Sequence, residues 1–305
     1  MALRVATASM NDRMLKASMN TQARMMEMQL QQATGEKSGN YAGLGGTART
    51  VIDMEVSMTR TETYRLAGET ALGRVNAMHE QMDTVTQIIS DFYKAVTAMR
   101  STSGTEQTFP TLIQEAVGLR DHLANNVLNF QHQGRYLFGG SATLDRPIDL
   151  SGYALGDPSV PNTDYYQGDD FIAQAQVSQD HTVVYGVTAN DPAFEQAIRA
   201  LSMIADADPA AIDDDLLEEA QKLAEQALDN AIVVQNRLGI DARTLERAVT
   251  AQDDYKFFLE SNLGPIKGVD VAALTVKLAA FDSQLRASYA ALGKIQSLSL
   301  VDYLR

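Results

Sequence analysis

The 305-residue chain contains no cysteine, so it can build no disulfide framework, thiolate nucleophile or cysteine-bound metal site, and its redox compartment stays open. The stretch from Met1 to Arg13 lacks the continuous apolar run of roughly 7 to 15 residues that a Sec-type leader needs. Nowhere does an apolar run approach the roughly 18 residues of a membrane span. A soluble protein is expected, or one that leaves the cell by another route. Histidine is scarce: His79, His122, His132 and His181 lie far apart, and no His-Glu-x-x-His or Gly-x-Ser-x-Gly accompanies them. The Gly-rich stretch Ser38–Gly46 is followed by neither Lys-Ser/Thr nor a strand-to-helix context, so it reads as a hinge and not as a phosphate cradle. No enzymatic activity, cofactor or metal is expected.

Charge is also missing where it would give a uniform field. Residues 142–220 hold 16 Asp and Glu against only Arg146 and Arg199, so the whole net charge of −14 sits there, and the 23 acids elsewhere are matched by 23 bases. Such a segment is a solvated surface that repels nucleic acid, while the neutral flanks can pack on one another. Asp213-Asp214-Asp215 could attract a hard cation. Three consecutive carboxylates point in different directions, however, and suit the positive start of a helix better.

What the chain does have is periodicity. From Leu216 to Gln252 apolar residues step 4-3-4: Leu216, Ala227, Leu238 and Val249 stand eleven apart, as do Ala220, Ala231 and Ala242, and Leu223, Val234 and Leu245. The average of about 3.67 residues keeps one stripe on one side of a nearly straight helix. A second signal is a heptad seam, with Val75, Met82, Ile89 and Val96 at one position and Met78, Val85, Phe92 and Met99 at the other. A third is Leu112, Ala116, Leu119, Leu123, Val127 and Phe130, up to about His132. Three antiparallel rods, over 47–101, 110–133 and 216–260, can cover one another's stripes.

The two ends carry one amphipathic helix each. Leu15, Met19, Met26, Leu30 and Ala33 mark the first, which stops at Thr34-Gly35. Gly264-Pro265 is expected to break the chain before the last, which Asp270 can cap and which carries Leu274, Leu278, Phe281, Leu285, Tyr289 and Leu292. Each is apolar on one side and needs a partner. Between the rods, Pro147, Pro158, Pro161 and Pro192 exclude long helices, and Phe171–Val177 with Thr182–Val187 alternate as a β-hairpin around Ser178-Gln-Asp180. The expected fold is therefore mainly α: a coiled-coil-like rod formed by both halves of the chain folding back together, with a small β-rich insertion at its tip. Three parts follow: a terminal helical domain of 1–46 with 262–305, a rod of 47–141 with 206–261, and an acidic β-rich domain of 142–205. In the tail, Leu298, Leu300, Tyr303 and Leu304 would leave an apolar patch in water unless another subunit covers it. With Leu15, Met19, Met26, Leu30, Leu285 and Leu292 they form the candidate assembly interface.

Several of these segments resemble the bacterial flagellin superfamily, above all its branch at the junction of hook and filament. They are Gly134-Arg-Tyr-Leu-Phe-Gly-Gly140, Tyr166-Gln-Gly-Asp-Asp170, Asn236-Arg-Leu-Gly239, Ala287-Ser-Tyr-Ala290 and Ile295-Gln-Ser-Leu-Ser-Leu-Val-Asp-Tyr-Leu304. The chain departs from that pattern after Gly35, where Ser38-Gly-Asn-Tyr-Ala-Gly-Leu44 replaces the family's Ser-x-Asp-Asp-Pro-Ala. The resemblance implies a structural adapter whose paired terminal helices form an inner tube. It implies export through the flagellar type III channel and an extracellular place in the flagellum. Its implied partners are the preceding hook-associated protein, flagellin, further copies in a ring, the export apparatus and an export chaperone, with no nucleic acid and no membrane insertion. The competing classes are a filament-forming flagellin and a helical enzyme or binding protein with an unrecognised site.

Overall fold

In the computed structural model, residues 2–101 and 108–303 are described, with side chains over 9–10, 12–101 and 108–294. The link between the first two expected rods, 102–107, lies outside them. Over the described residues the chain is mainly helical with two small two-stranded sheets, in line with the mainly α fold that the periodicities predict. It divides into two compact units, Thr61–Asp254, and Met1–Arg60 with Tyr255–Arg305.

In the first unit, α2 (Ala48–Ser101) and α5 (Asp214–Lys267) run antiparallel. Arg100 reaches Asp214 at 3.1 Å and Glu218 at 2.9 Å, Asp83 accepts from Gln235, and Arg65 stands 3.8 Å from Asp253. Each step back along one helix is thus matched by an equal step forward on the other, which fixes the register. The heptad seam is buried as expected, with Val75, Met82, Val85 and Val96 fully enclosed. So is the eleven-residue stripe: Leu223, Val234 and Leu245 join the same core. Side-chain size is divided between the two helices. Ala220, Ala224, Ala227 and Ala231 on α5 sit at the register of Ile88, Ile89, Phe92 and Val96 on α2, so large residues on one side are met by small ones on the other.

The third rod is shorter than its apolar pattern suggests. Helix α3 (Phe109–Asp121) passes into a π-turn, His122–Leu128, in which Asn129 N donates to Ala124 O five residues back at 3.1 Å. Widening the turn puts Leu123, Ala124, Val127 and Leu128 on one face, all buried. The chain then leaves the helix, and strands β1 (Gln131–His132) and β2 (Arg135–Tyr136) form a hairpin in place of the helix expected up to His132. Gln133 (φ 53°) and Gly134 (φ 74°) are its two central residues, the doubly left-handed pair of a tight hairpin turn.

A fourth helix, α4 (Pro192–Ala205), lies in the segment expected to be β-rich, and α3 packs chiefly against it. Pro192 does not break it. As the first helical residue it loses no bond, and Asp191 caps the start by accepting from Ala193 N at 3.1 Å. Positions 193–195 and 197–204 are all buried, so the helix is enclosed all round. The expected hairpin is present as β3 (Gln174–Gln176) and β4 (Thr182–Val184), with Ala175 opposite Val183. Val177 O accepts from Gln252 Nε2 at 3.0 Å, Gly186 N donates to Asp241 at 3.4 Å, and Asn230 donates to Gln196 at 2.8 Å. The segment lies along α5 because Val177, Val183, Tyr185 and Val187 supply apolar cover that two helices alone would leave missing.

In the second unit, α1 (Ala2–Thr34) pairs with α6 (Val271–Tyr303). Asp270 caps α6 as expected, accepting from Ala273 N at 3.0 Å. The predicted break at Gly264-Pro265 does not occur: α5 runs through Pro265 to Lys267, and Gly268 ends it by donating back to Gly264 O at 2.7 Å. Near a helix end the ring of proline removes one bond without stopping the turn.

Candidate assembly surfaces

Helix α1 presents two distinct lines of residues. Met14, Ser18, Thr21, Met25 and Met28, at steps of three and four, are buried or half-buried. Gln32 Nε2 donates to Thr275 Oγ1 at 3.3 Å, tying the end of α1 to the start of α6. The line marked by the sequence, Leu15, Met19, Met26 and Leu30, is the other one, exposed by 49 to 63%. On α6 the predicted interface residue Leu285 is buried and Leu292 half-buried within the chain's own unit, while Val276 and Tyr289 are exposed. The side chains of Leu298, Leu300 and Tyr303, and Leu304 altogether, lie outside the described residues. One exposed cluster escaped the sequence reading. Tyr255 and Phe258 stack at 6.3 Å on the last turns of α5, and Phe257 beside them is 72% exposed. The signal was the aromatic run Tyr255-Lys-Phe-Phe258 just beyond the end of the stripe.

The Ser38–Gly46 stretch is a structured joint. Asn40 accepts from Gly43 N at 3.0 Å and opens a short 3-10 helix, Tyr41–Thr47. The carbonyls at the end of α5 are met from this side: Lys37 Nζ donates to Pro265 O at 2.8 Å and Ile266 O at 2.9 Å, and Lys37 N donates to Lys267 O at 2.7 Å. With Gly268 N on Gly264 O, all four terminal carbonyls are satisfied. Lys267 Nζ in turn lies 3.0 Å from Glu55 and 3.4 Å from Glu36, and Tyr41 donates to Glu55 at 2.6 Å. The Tyr41 phenol and then the Lys267 ammonium hold the Glu55 carboxyl below the usual carboxylate range, and the Glu55 hydrogen bond holds Lys267 and Tyr41 above theirs.

In the unit Thr61–Asp254, three of the motifs quoted above, 134–140, 166–170 and 236–239, converge on one corner. Leu137 and Phe138 are buried, and Phe138 meets Phe194 of α4 edge to face at 5.6 Å. Asp169 accepts from Ser141 N at 2.8 Å, from Ser141 Oγ and from Phe171 N at 3.1 Å, and these bonds lower its pKa. Arg237 reaches Asp191 at 3.4 Å, so Asn236-Arg-Leu-Gly239 anchors the start of α4, with Leu238 buried behind it. The acidic run is largely consumed by such local work. Asp191, Asp208 and Asp213 cap helices, Asp149 and Asp157 close turns, Asp206 pairs with Arg120 at 2.8 Å, and Glu195 with Arg199 at 3.0 Å forms a buried pair. Asp213–Asp215 therefore serve a helix start. Among the described residues, no group of three or more carboxylates and histidines could hold a metal ion, and no helix is long and apolar enough to cross a membrane.

The fold is similar to that of solved flagellar hook-associated proteins over about 70% of the chain. The crystal structure of Bacillus cereus FlgL superposes with a TM-score of 0.57 at 16% identity, over 70% of this chain and 99% of that one. Two curated relatives extend the likeness along the sequence. Flagellar hook-associated protein 3 of Salmonella typhimurium is 21% identical and that of Escherichia coli 23%, each over 98% of both chains. No family model matches the sequence.

Proposed function

We propose that this chain is a structural component of the bacterial flagellum that joins the hook to the flagellin filament. The observation that carries the reading is the likeness to hook-associated protein 3 over 98% of both chains. The exposed Leu15, Met19, Met26 and Leu30 line gives the role a physical basis, because a helix that uses one face on its partner and keeps a second apolar face open is built to be covered. In this reading α1 and α6, within 1–46 and 262–305, form the inner tube, 47–141 with 206–261 is the rod, and 142–205 is an acidic outer domain. The preceding hook-associated protein lies on one side, flagellin on the other and further copies in the ring. The chain reaches that place outside the cell through the flagellar export channel with a chaperone, and catalyses nothing. Its kinship with the flagellin superfamily rests on the quoted motifs.

Deleting residues 296–305 tests the reading. The truncated chain is expected to fold and to be exported while hooks remain bare and flagellin accumulates in the medium. Cells that carry the truncated chain and still grow filaments of normal length would overturn the role given to the tail.

A further inference from the structure

The geometry points to an ionic latch, in which Lys37 caps the end of α5 from more than two hundred residues away and holds the α1–α6 pair to the joint. Three of the four terminal carbonyls of α5 are satisfied by this one residue, two through its ammonium and one through its amide. An ammonium is also the charge that a helix carboxyl end favours. The strap around it is fixed on both sides. Gln31 Nε2 donates to Lys37 O at 2.8 Å, Val269 N donates to Gly35 O at 2.9 Å, and Glu36 bridges to Gly268. Gly35 takes φ 73°, which lets the chain turn sharply out of α1 and bring Lys37 back. Apolar burial around the joint is confined to single residues: no residue of Tyr41–Thr47 is buried, and Val51 on α2, Leu259 on α5 and Leu274 on α6 are the buried apolar residues of the flanking helix ends. A joint held by exposed charge and hydrogen bonds, with so little core, opens and closes as one step and weakens with salt. The latch is thus a reversible conformational device, separate from whatever covers the outer face of α1.

Hydrogen exchange of the full-length chain tests it. In Lys37→Met, which keeps length and removes the charge, the amides of Ile266 to Val269 and of Gly35 to Lys37 are expected to exchange about tenfold faster or more. Those of α4 and of 220–245 should keep their wild-type rates. Lys37→Arg, which restores a cationic donor, should recover most of the protection. Raising salt from about 0.1 M to about 1 M should quicken exchange at the same amides more in the wild type than in the Met variant, where only the Lys267 pairs with Glu55 and Glu36 remain to be screened. Unchanged exchange over Ile266–Val269 in Lys37→Met would overturn the latch, as would a gain in exchange spread evenly through Thr61–Asp254.

Discussion

Asp169 occupies the space that a side chain at Gly140 would need: a Cβ built there would stand 2.1 Å from the Asp169 carboxylate and 2.4 Å from its carbonyl oxygen. Gly140 also has φ 68°, a conformation that other residues adopt at a cost. Gly140→Ala should therefore lower stability by about 2 to 3 kcal/mol through strain and the displaced loop together, read as a drop in the thermal midpoint. Asp169→Asn should act in a different way. The native carboxyl titrates below its ordinary value, so its contribution is in place above the ordinary carboxylate range and is lost as pH falls through the lowered value. The variant should flatten the acid side of the stability profile and leave the neutral midpoint less affected than Gly140→Ala does.

Emptying the stripe on α5 should be costly. Leu245 is fully buried and Leu223 nearly so, at 8% exposure. Leu245→Ala and Leu223→Ala should each cost about 2 to 5 kcal/mol, with Leu245 toward the upper end, as measured by the denaturant midpoint. Equal and negligible losses at both would mean that this stripe is not the core of the helix pair.

Glu195 and Arg199 test a different kind of burial. Their side chains are only 4% and 6% exposed, and Glu195 also accepts from Asn162 N at 2.9 Å. Glu195→Ala leaves the guanidinium uncompensated and should destabilise by about 3 to 5 kcal/mol. Replacing both residues by Met should cost much less than that single change, a comparison that one set of chemical melts provides.

The joint should respond to pH at both ends. Glu55 titrates below its ordinary value, so its stabilisation is present above the ordinary carboxylate range and disappears as pH falls through the lowered value. Lys267 titrates above its ordinary value, so its stabilisation is present below the ordinary ammonium range and disappears as pH rises through the raised value. Protease cleavage within 38–47 should be slow across the window between them and speed up outside it. Glu55→Gln should abolish the acid limb.

The long periodic elements were readable because their spacing is local. Val75 to Met99 and Leu216 to Val249 each state their inward face within one segment, and the alternation around Ala175 and Val183 does the same for the hairpin. What stayed hidden depended on position or on distance. Pro192 read as a breaker because its role changes at the first helical residue, although Asp191 before it and Glu195 after it are ordinary start signals. The inward line of α1 was not marked because it includes Ser18 and Thr21, which an apolar pattern passes over. Nothing beside Lys37 announces that its partners are Pro265 and Ile266. The motif residues were visible as a resemblance, but that Phe138, Asp169 and Arg237 gather at the start of α4 needed coordinates.

The cross-chain bonds also carry an order in time. Arg120 reaches Asp206 across 86 residues, Arg100 reaches Asp214 across 114, Asp83 meets Gln235 across 152, Glu55 meets Lys267 across 212 and Gln32 meets Thr275 across 243. These spans are nested, so each closure shortens the loop left for the next and lowers its entropic cost. Folding that starts where α3 meets α4 can zip outward at little loop cost per step, whereas a start at the termini must close the longest loop first. The helix pair that carries the open face is then the last to form.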